Sequence, residues 1–319
     1  MLDSKDFLFI IGSPRSGTTM LQILLASHPQ VASTVEQTLF NLYIAQWLET
    51  WRMEKRNLDE RGWKLGLPIL LEEEELLEIL REFLRRVYGK IHAIKPAATH
   101  LLDKHPGYSL HVGTIKRFLP KARFIHIIRD GRDVASSMLA VHAKMGFAPD
   151  RLTAAAAKWS TFVRGAREAA EFGSDYLEVR YEEFLGAGTG AYARVLNFCG
   201  LAYEQSWIAE TLAANSFEKM KARGAAPDPR LTLSEKRYHR GTAGGWREDF
   251  SPWDRFEFDR VAGDLLCELG YATSGWWAER PRDRWMQPLR RGWEQRRPFF
   301  LRTLQSARAV VLGPRDPPF

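Results

Sequence analysis

The chain has 319 residues, 45% of them hydrophobic and 27% charged, and a formal net charge of +7. That balance is the one expected of a soluble globular protein, with no internal repeat or low-complexity tract. No uninterrupted apolar run approaches the ~20 residues of a membrane span, and no basic-then-apolar leader precedes the first core segment, so the expected setting is the cytoplasm.

Residues 7–11 are an apolar run that reads as a buried parallel strand. They lead into a glycine-bounded turn, residues 12–17, and then into Thr18, Thr19 and the apolar start of a helix. Strand, tight turn and helix N-terminus together aim backbone N–H groups and the positive end of a helix dipole at one point, which suits an anion. A nucleoside-triphosphatase loop would read G-x-x-x-x-G-K-[ST]. Here Thr18 stands where that lysine belongs, and the cation of the loop is Arg15, three positions earlier. The loop suits a phosphate and points away from ATP.

Residues 31–38 are expected to form a connection crossing the ligand-facing edge of the sheet. From residue 69 to 87 leucines recur at helical spacing, with Glu72 to Glu75 leading and Arg81, Arg85 and Arg86 trailing. Acid early and base late complement the helix dipole, and the Glu run reads as a solvated helix face rather than a metal site. Lys104, in Leu102-Asp103-Lys104-His105-Pro106, follows a predicted strand end. Residues 124–128 form a second strand, then a turn and a helix beginning near Asp133. Arg129 falls at the carboxyl end of that strand, the edge where open parallel sheets bind ligands. Ser137 lies about two helical turns further on and can point back to the same edge.

Residues 151–172 read as a helix, 176–179 as a strand, 191–199 as a helix and 222–229 as a Gly/Pro/Ala loop. Residues 238–250 are Gly-rich and cationic, suited to close over a ligand as a lid. Three separate anion-gripping elements imply a ligand with phosphates at more than one position. Cys199 and Cys267 show no metal spacing and read as core thiols of a reducing compartment.

These segments together resemble the sulfotransferase family, whose donor is 3′-phosphoadenosine-5′-phosphosulfate. Pro14-Arg15-Ser16-Gly17-Thr18-Thr19 is similar to the family's 5′-phosphosulfate loop, and the stretch from Arg129 to Ser137 to its 3′-phosphate strand and helix. His239-Arg240-Gly241-Thr242-Ala243-Gly244-Gly245-Trp246 resembles the R-K-G-x-x-G-x-W clamp of the cytosolic enzymes, with His239 in place of the usual arginine. Ser216 and Phe217, and Tyr181, match adenine-side contacts. The matches run in family order across roughly residues 7–270. The resemblance implies an α/β fold with a P-loop-like central parallel sheet flanked by helices on both faces.

It also implies that Arg15, Ser16, Gly17, Thr18, Thr19, Arg129, Ser137, Tyr181, Ser216, Phe217, Arg240 and Gly241 hold the donor. Sulfuryl transfer needs a grip on the bridging phosphate, charge for the leaving group, a base for the acceptor hydroxyl and exclusion of water. Arg15 is placed to meet the phosphosulfate, and Lys104 resembles the lysine that touches the sulfuryl group. No metal cluster is expected, and the chemistry requires none. Two residues compete as base. Glu36 follows His28-Pro29 as the base does in the tyrosylprotein enzymes, where burial would raise its pKa; His105 before Pro106 sits like the histidine of the cytosolic enzymes.

The acceptor is expected to be a hydroxyl of a small molecule, lipid or sugar. Protein tyrosine is the alternative, and a P-loop small-molecule kinase or a non-catalytic nucleotide-binding scaffold are further ones. By composition the chain divides into a sulfotransferase domain, 1–272, and a basic extension, 273–319. From Trp276 to the end there are ten arginines against four acids, a net +6, interleaved with Trp276, Trp277, Trp285 and Trp293. Such a segment is read either as a helix whose tryptophans pack inward or as a contact for the inner membrane surface or another anionic partner. No nucleic-acid-binding motif is present.

Overall fold

The computed structural model describes residues 6–146, 148–186, 188–216, 218–220 and 241–278. It divides by compactness into two units, Met1–Asp249 and Phe250–Phe319. This division follows packing, whereas the 272/273 boundary read from the sequence follows charge.

The first unit is a five-stranded, all-parallel sheet in the order β2-β3-β1-β4-β5. Its strands are β1 (Asp6–Ile11), β2 (Val31–Ser33), β3 (His100–Lys104), β4 (Arg123–Ile128) and β5 (Tyr176–Arg180). The apolar run of β1 is explained by burial on both faces. Phe7, Phe9 and Ile11 pack into one core with Leu80, Tyr88 and Ile115, and Leu8 and Ile10 pack into the other with Leu21, Leu25 and Val195. A strand covered on both sides has no polar face to alternate with, so its sequence is continuously apolar. Helices α1 (Thr18–Ala26), α7 (Thr189–Cys199) and α8 (Gln205–Ala214) contribute to one core; α2 (Ala45–Arg61), α3 (Glu73–His92) and α4 (Val112–Phe118) contribute to the other. The expected P-loop-like α/β architecture is the observed one.

Central β1 is flanked by β3 and β4, so chain order reverses beside it, the position where open α/β sheets form their ligand crevice. The helices α5 (Gly131–Met145) and α6 (Leu152–Arg167) follow β4. Three expectations shift. Residues 31–38 are not wholly a connection: 31–33 add the edge strand β2, paired to β3 through Val31 and His100. Helix α3 starts at Glu73, where Glu72 and Glu75 form a reciprocal capping box, rather than at 69. The helix expected over 151–172 ends at Arg167 and continues as 3₁₀ structure to Asp175, with Gly173 at φ 58° breaking it ahead of β5.

In the second unit, α9 (Pro252–Glu268) begins with a capping box at Ser251 and Asp254. Trp276 and Trp277 are buried, Trp276 donating to Asp259 at 2.8 Å and Trp277 meeting Phe256 edge-on at 5.1 Å. These two tryptophans are core residues, in keeping with the reading in which the tryptophans of this segment pack inward. Trp285, Trp293 and the arginines beyond residue 278 lie outside the described residues. No helix among the described residues is long and apolar enough to cross a membrane.

Candidate active site

The turn after β1 has a shape that its residues dictate. Gly12 sits at φ 145°, and a Cβ there would meet the carbonyl oxygen of Ile127 at 2.5 Å. Gly17 sits at φ 96°, and a Cβ would meet the Tyr181 ring at the same distance. Both positions require glycine. Arg15 is the one non-glycine residue with positive φ, 73°, among those described. Backbone held in that region is strained and persists where surrounding contacts impose it. Here the Arg15 carbonyl accepts Arg129 Nη1 at 3.1 Å, and its own Nε donates to Ser137 Oγ at 3.1 Å.

The two expected anion sites are thereby one continuous surface. Arg15, expected on the phosphosulfate, lies within hydrogen-bond reach of Ser137, the residue expected on the 3′-phosphate. Arg129 is 8% exposed, stacks its guanidinium 4.4 Å from the Tyr181 ring centroid and donates through Nη2 to the Thr242 carbonyl at 2.8 Å. Its Nε is buried with no protein hydrogen-bond partner, as is Ser16 Oγ. Tyr181 donates to the Gly241 carbonyl at 3.0 Å, and burial pushes its phenol pKa up.

Residues that sequence reasoning passed over secure this region. The Asp133 carboxylate accepts the N–H groups of Gly244 at 2.7 Å and Trp246 at 2.9 Å. Asp130 caps α5 and pairs with Arg132, whose guanidinium lies 3.9 Å from the Trp246 ring centroid. The described part of the expected lid is thus fastened to Tyr181 and Arg129 at Gly241 and Thr242 and to α5 at Gly244 and Trp246. The signal was in the sequence, an aspartate in the first turn of a helix, but the partners of Asp133 lie over a hundred residues away.

Thr19 and Lys104 join this surface to the second half of the site. Lys104 ends β3, and its side chain is 1% exposed. The ammonium donates to Thr19 Oγ1 at 3.0 Å and is hydrogen-bonded to the Glu36 carboxylate. Glu36 is 30% exposed by side chain, so it is a part-open carboxylate against a cation rather than a deeply buried one. Its partner there is the Lys104 ammonium at the end of β3.

His105 lines the same cavity, and burial is the main cause of its lowered pKa. Its Nδ1 accepts the Gly107 N–H at 3.0 Å, which in the neutral ring places the proton on Nε2. The accessible nitrogen is then a donor. His28 is structural: its ring nitrogens engage the Ala202 carbonyl and the Gln30 N–H.

One cavity of about 1040 Å³ reaches Arg15, Gly17, Thr18, Thr19, Glu36, His105, Arg129, Ser137, Tyr181, Ser216 and Gly241. Its volume is at the upper limit of the ~300–1,000 Å³ common for small-molecule sites. Ser16 and Lys104 are buried beside lining residues, Lys104 in contact with Thr19 and Glu36. Lys158 and Phe162 of α6 also line it, the Lys158 ammonium 5.8 Å from the Phe162 ring centroid; nothing in the sequence marks them. Phe217 and Arg240 lie outside the described residues.

The comparisons agree with this geometry. A family model described as "Sulfotransferase family" matches residues 7–205. A putative protein-tyrosine sulfotransferase of Caenorhabditis briggsae is 26% identical over 274 residues, covering 85% of this chain and 90% of that protein. Protein-tyrosine sulfotransferase 1 of Danio rerio is 29% identical over 57% of this chain, and the chain spans 50% of its length. Among solved structures, a mouse sulfotransferase complexed with PAP superposes with a TM-score of 0.55 at 18% identity, covering 85% of this chain and 92% of the other. The sulfotransferase domain from the curacin biosynthetic pathway gives 0.52 at 18% identity, covering 82% and 97%. At those identities the likeness speaks to the fold. The family match reaches from the first strand through β5 and α7 and takes in both halves of the site: the chain belongs to the sulfotransferase family.

Proposed function

We propose that this sulfotransferase moves a sulfuryl group from 3′-phosphoadenosine-5′-phosphosulfate to a hydroxyl of a small-molecule, lipid or sugar acceptor, with Glu36 as the base. The observation that carries this reading is the placement of Lys104, whose one ammonium touches both Thr19 of the phosphate loop and the Glu36 carboxylate. That contact puts the anion-binding loop and a proton acceptor within one side chain's reach of each other.

The residues present fit such a donor. The buried, unpartnered Ser16 Oγ and Arg129 Nε are donors suited to anionic oxygens, as is the α1 N-terminus at Gly17 to Thr19. Arg129 and Ser137 would hold the 3′-phosphate, Arg15 to Thr19 the 5′ end, and Tyr181 and Ser216 the adenine side; Phe217, Arg240 and Gly241 complete the set by resemblance. The donor supplies the activated sulfuryl group. Glu36 accepts the acceptor's hydroxyl proton, and Lys104 holds positive charge where negative charge develops. His105, with its proton on Nε2, orients an acceptor oxygen.

Calorimetry tests the donor assignment. Tight binding of 3′,5′-adenosine bisphosphate and weak binding of ATP, unchanged by a chelator, is expected; equal affinity for the two would overturn it. Transfer from labelled donor to a panel of a phenol, a steroid alcohol, a sugar and a tyrosine peptide assigns the acceptor class. Protein tyrosine is kept as a second reading because the relatives bear that name. A cytoplasmic setting with peripheral contact at the inner membrane surface is part of the same proposal, supported by the ten arginines after Trp276; co-sedimentation with anionic vesicles tests the contact.

A further inference from the structure

Behind the Glu36–Lys104 pair lies a buried carboxylate outside the cavity. Asp103, 3% exposed on β3, accepts two tyrosine hydroxyls on Oδ2: Tyr88 of α3 at 2.9 Å and Tyr108 at 3.0 Å. Its Oδ1 accepts the backbone N–H of Lys104 at 2.8 Å. The Tyr108 hydroxyl, having given its proton to Asp103, accepts the N–H of Leu39 at 3.2 Å. Leu39 opens a π-helical turn, Leu39–Ile44, three residues after Glu36. On the other side, Gln22 of α1 donates to the Thr34 carbonyl at 2.6 Å and to Ser33 Oγ at 3.1 Å. Residues 35–38 are therefore a short bridge between two anchored points, and Glu36 sits on it.

We propose that Asp103, acting through Tyr108, is the positioning residue that sets Glu36 against Lys104. One carboxylate fixes the peptide of Lys104 directly and the peptide of Leu39 through a single hydroxyl. It thereby ties the end of β3 to the turn at Leu39, past the point where the β2–β3 backbone pairing ends at Ser33 and Leu102. The proposal rests on the reading of Glu36 as base. A buried aspartate bonded to tyrosines could equally be satisfied core structure, and the fold supplies its own control. Tyr88 bonds the same carboxylate oxygen and is 1% exposed, as Tyr108 is 0% exposed, but it leads to α3 and not to the Glu36 bridge. A packing role treats the two tyrosines alike; a positioning role does not.

The chemistry of the carboxylate agrees. Burial pushes Asp103 up to about 6, opposed by the hydrogen bonds from Tyr88, Tyr108 and the Lys104 N–H and by the Lys104 charge, the groups that face it. Protonation would turn an acceptor of three hydrogen bonds into a donor and loosen the link to Leu39.

The test compares Tyr108→Phe with Tyr88→Phe in the full chain, by turnover across the acceptor panel, by affinity for 3′,5′-adenosine bisphosphate and by amide hydrogen exchange of residues 36–39. The Tyr108→Phe ring keeps its packing on Phe9 and Phe40. Tyr108→Phe is expected to lower kcat by at least ~10-fold, leave bisphosphate Kd within ~2-fold and speed exchange in the bridge; Tyr88→Phe should change kcat by less than ~3-fold and leave the bridge protected. Equal losses in both variants, or a Tyr108→Phe bridge that exchanges like wild type, would overturn the proposal. Should Tyr108→Phe not fold, Asp103→Asn decides: exchange of the Leu39 amide must speed relative to wild type, and a bridge that stays as protected as in wild type overturns the proposal. Glu36→Gln with ordinary turnover would instead sink the base assignment, while the exchange data would still report whether Tyr108 anchors the bridge.

Discussion

The two ends of the cavity are built differently. Around Arg129 the surface is locked by backbone: glycines that admit no Cβ, a strained Arg15, and carbonyls of residues 15, 241 and 242 already bonded to Arg129 or Tyr181. Around Glu36 it is built from side chains, with a part-open carboxylate, a lysine and a histidine, and with Lys158 and Phe162 along the same cavity. Backbone-built surfaces hold one ligand shape at low reorganisation cost, whereas side-chain walls can change with few consequences for folding. The donor end is thus expected to tolerate little, and the acceptor end to be where specificity resides.

The sharpest way to break that contrast is Glu36→Gln. The amide keeps size and hydrogen bonding but cannot take a proton, so turnover should fall ~10²–10⁴-fold with bisphosphate affinity near wild type. A variant with ordinary turnover beside a silent His105→Ala enzyme would move the base to His105. At the donor end, Gly17→Ala forces a Cβ onto the Tyr181 ring at positive φ and should cost ~2–4 kcal/mol of stability or donor affinity, read by urea titration and calorimetry. Arg129→Ala should weaken the bisphosphate by ~1.5–3 kcal/mol and an analogue lacking the 3′-phosphate by much less; equal losses would make Arg129 structural.

Asp103 supplies a pH signature. Its folded pKa of about 6 lies above the ordinary carboxylate value of 3.8, so the folded state binds its proton more tightly than the unfolded state does. Its contribution to stability therefore falls as pH rises between those values, by up to ~3 kcal/mol. Denaturation of Asp103→Asn beside wild type should show that slope flattened, and parallel curves would contradict the buried, charged carboxylate. The smallest effect belongs to Lys158→Ala, a change of ~2–10-fold in KM for whichever panel acceptor is used, with donor affinity unchanged.

Much of this was legible in the residues because the signals are local. The apolar run of β1, the Gly12-to-Gly17 turn, Thr18 in the lysine position and Arg129 at a strand end each depend on neighbours a few positions away, and backbone sterics leave few alternatives to that strand–turn–helix unit. What tertiary structure alone decided are the long-range pairings. Arg15 meets Ser137, Asp133 fastens Gly244 and Trp246, and Lys104 spans Thr19 and Glu36, contacts between 68 and 122 positions apart. Sheet order brings these segments together, and no spacing in the chain encodes it. Glu36 could be named from its sequence context, but whether it is a buried acid or a carboxylate against a cation depends on which side chain the end of β3 delivers to it. The same holds for Trp276 and Trp277: composition groups them with the arginines, while packing on α9 places them in a core, because burial is a property of the assembled surface and not of the residue.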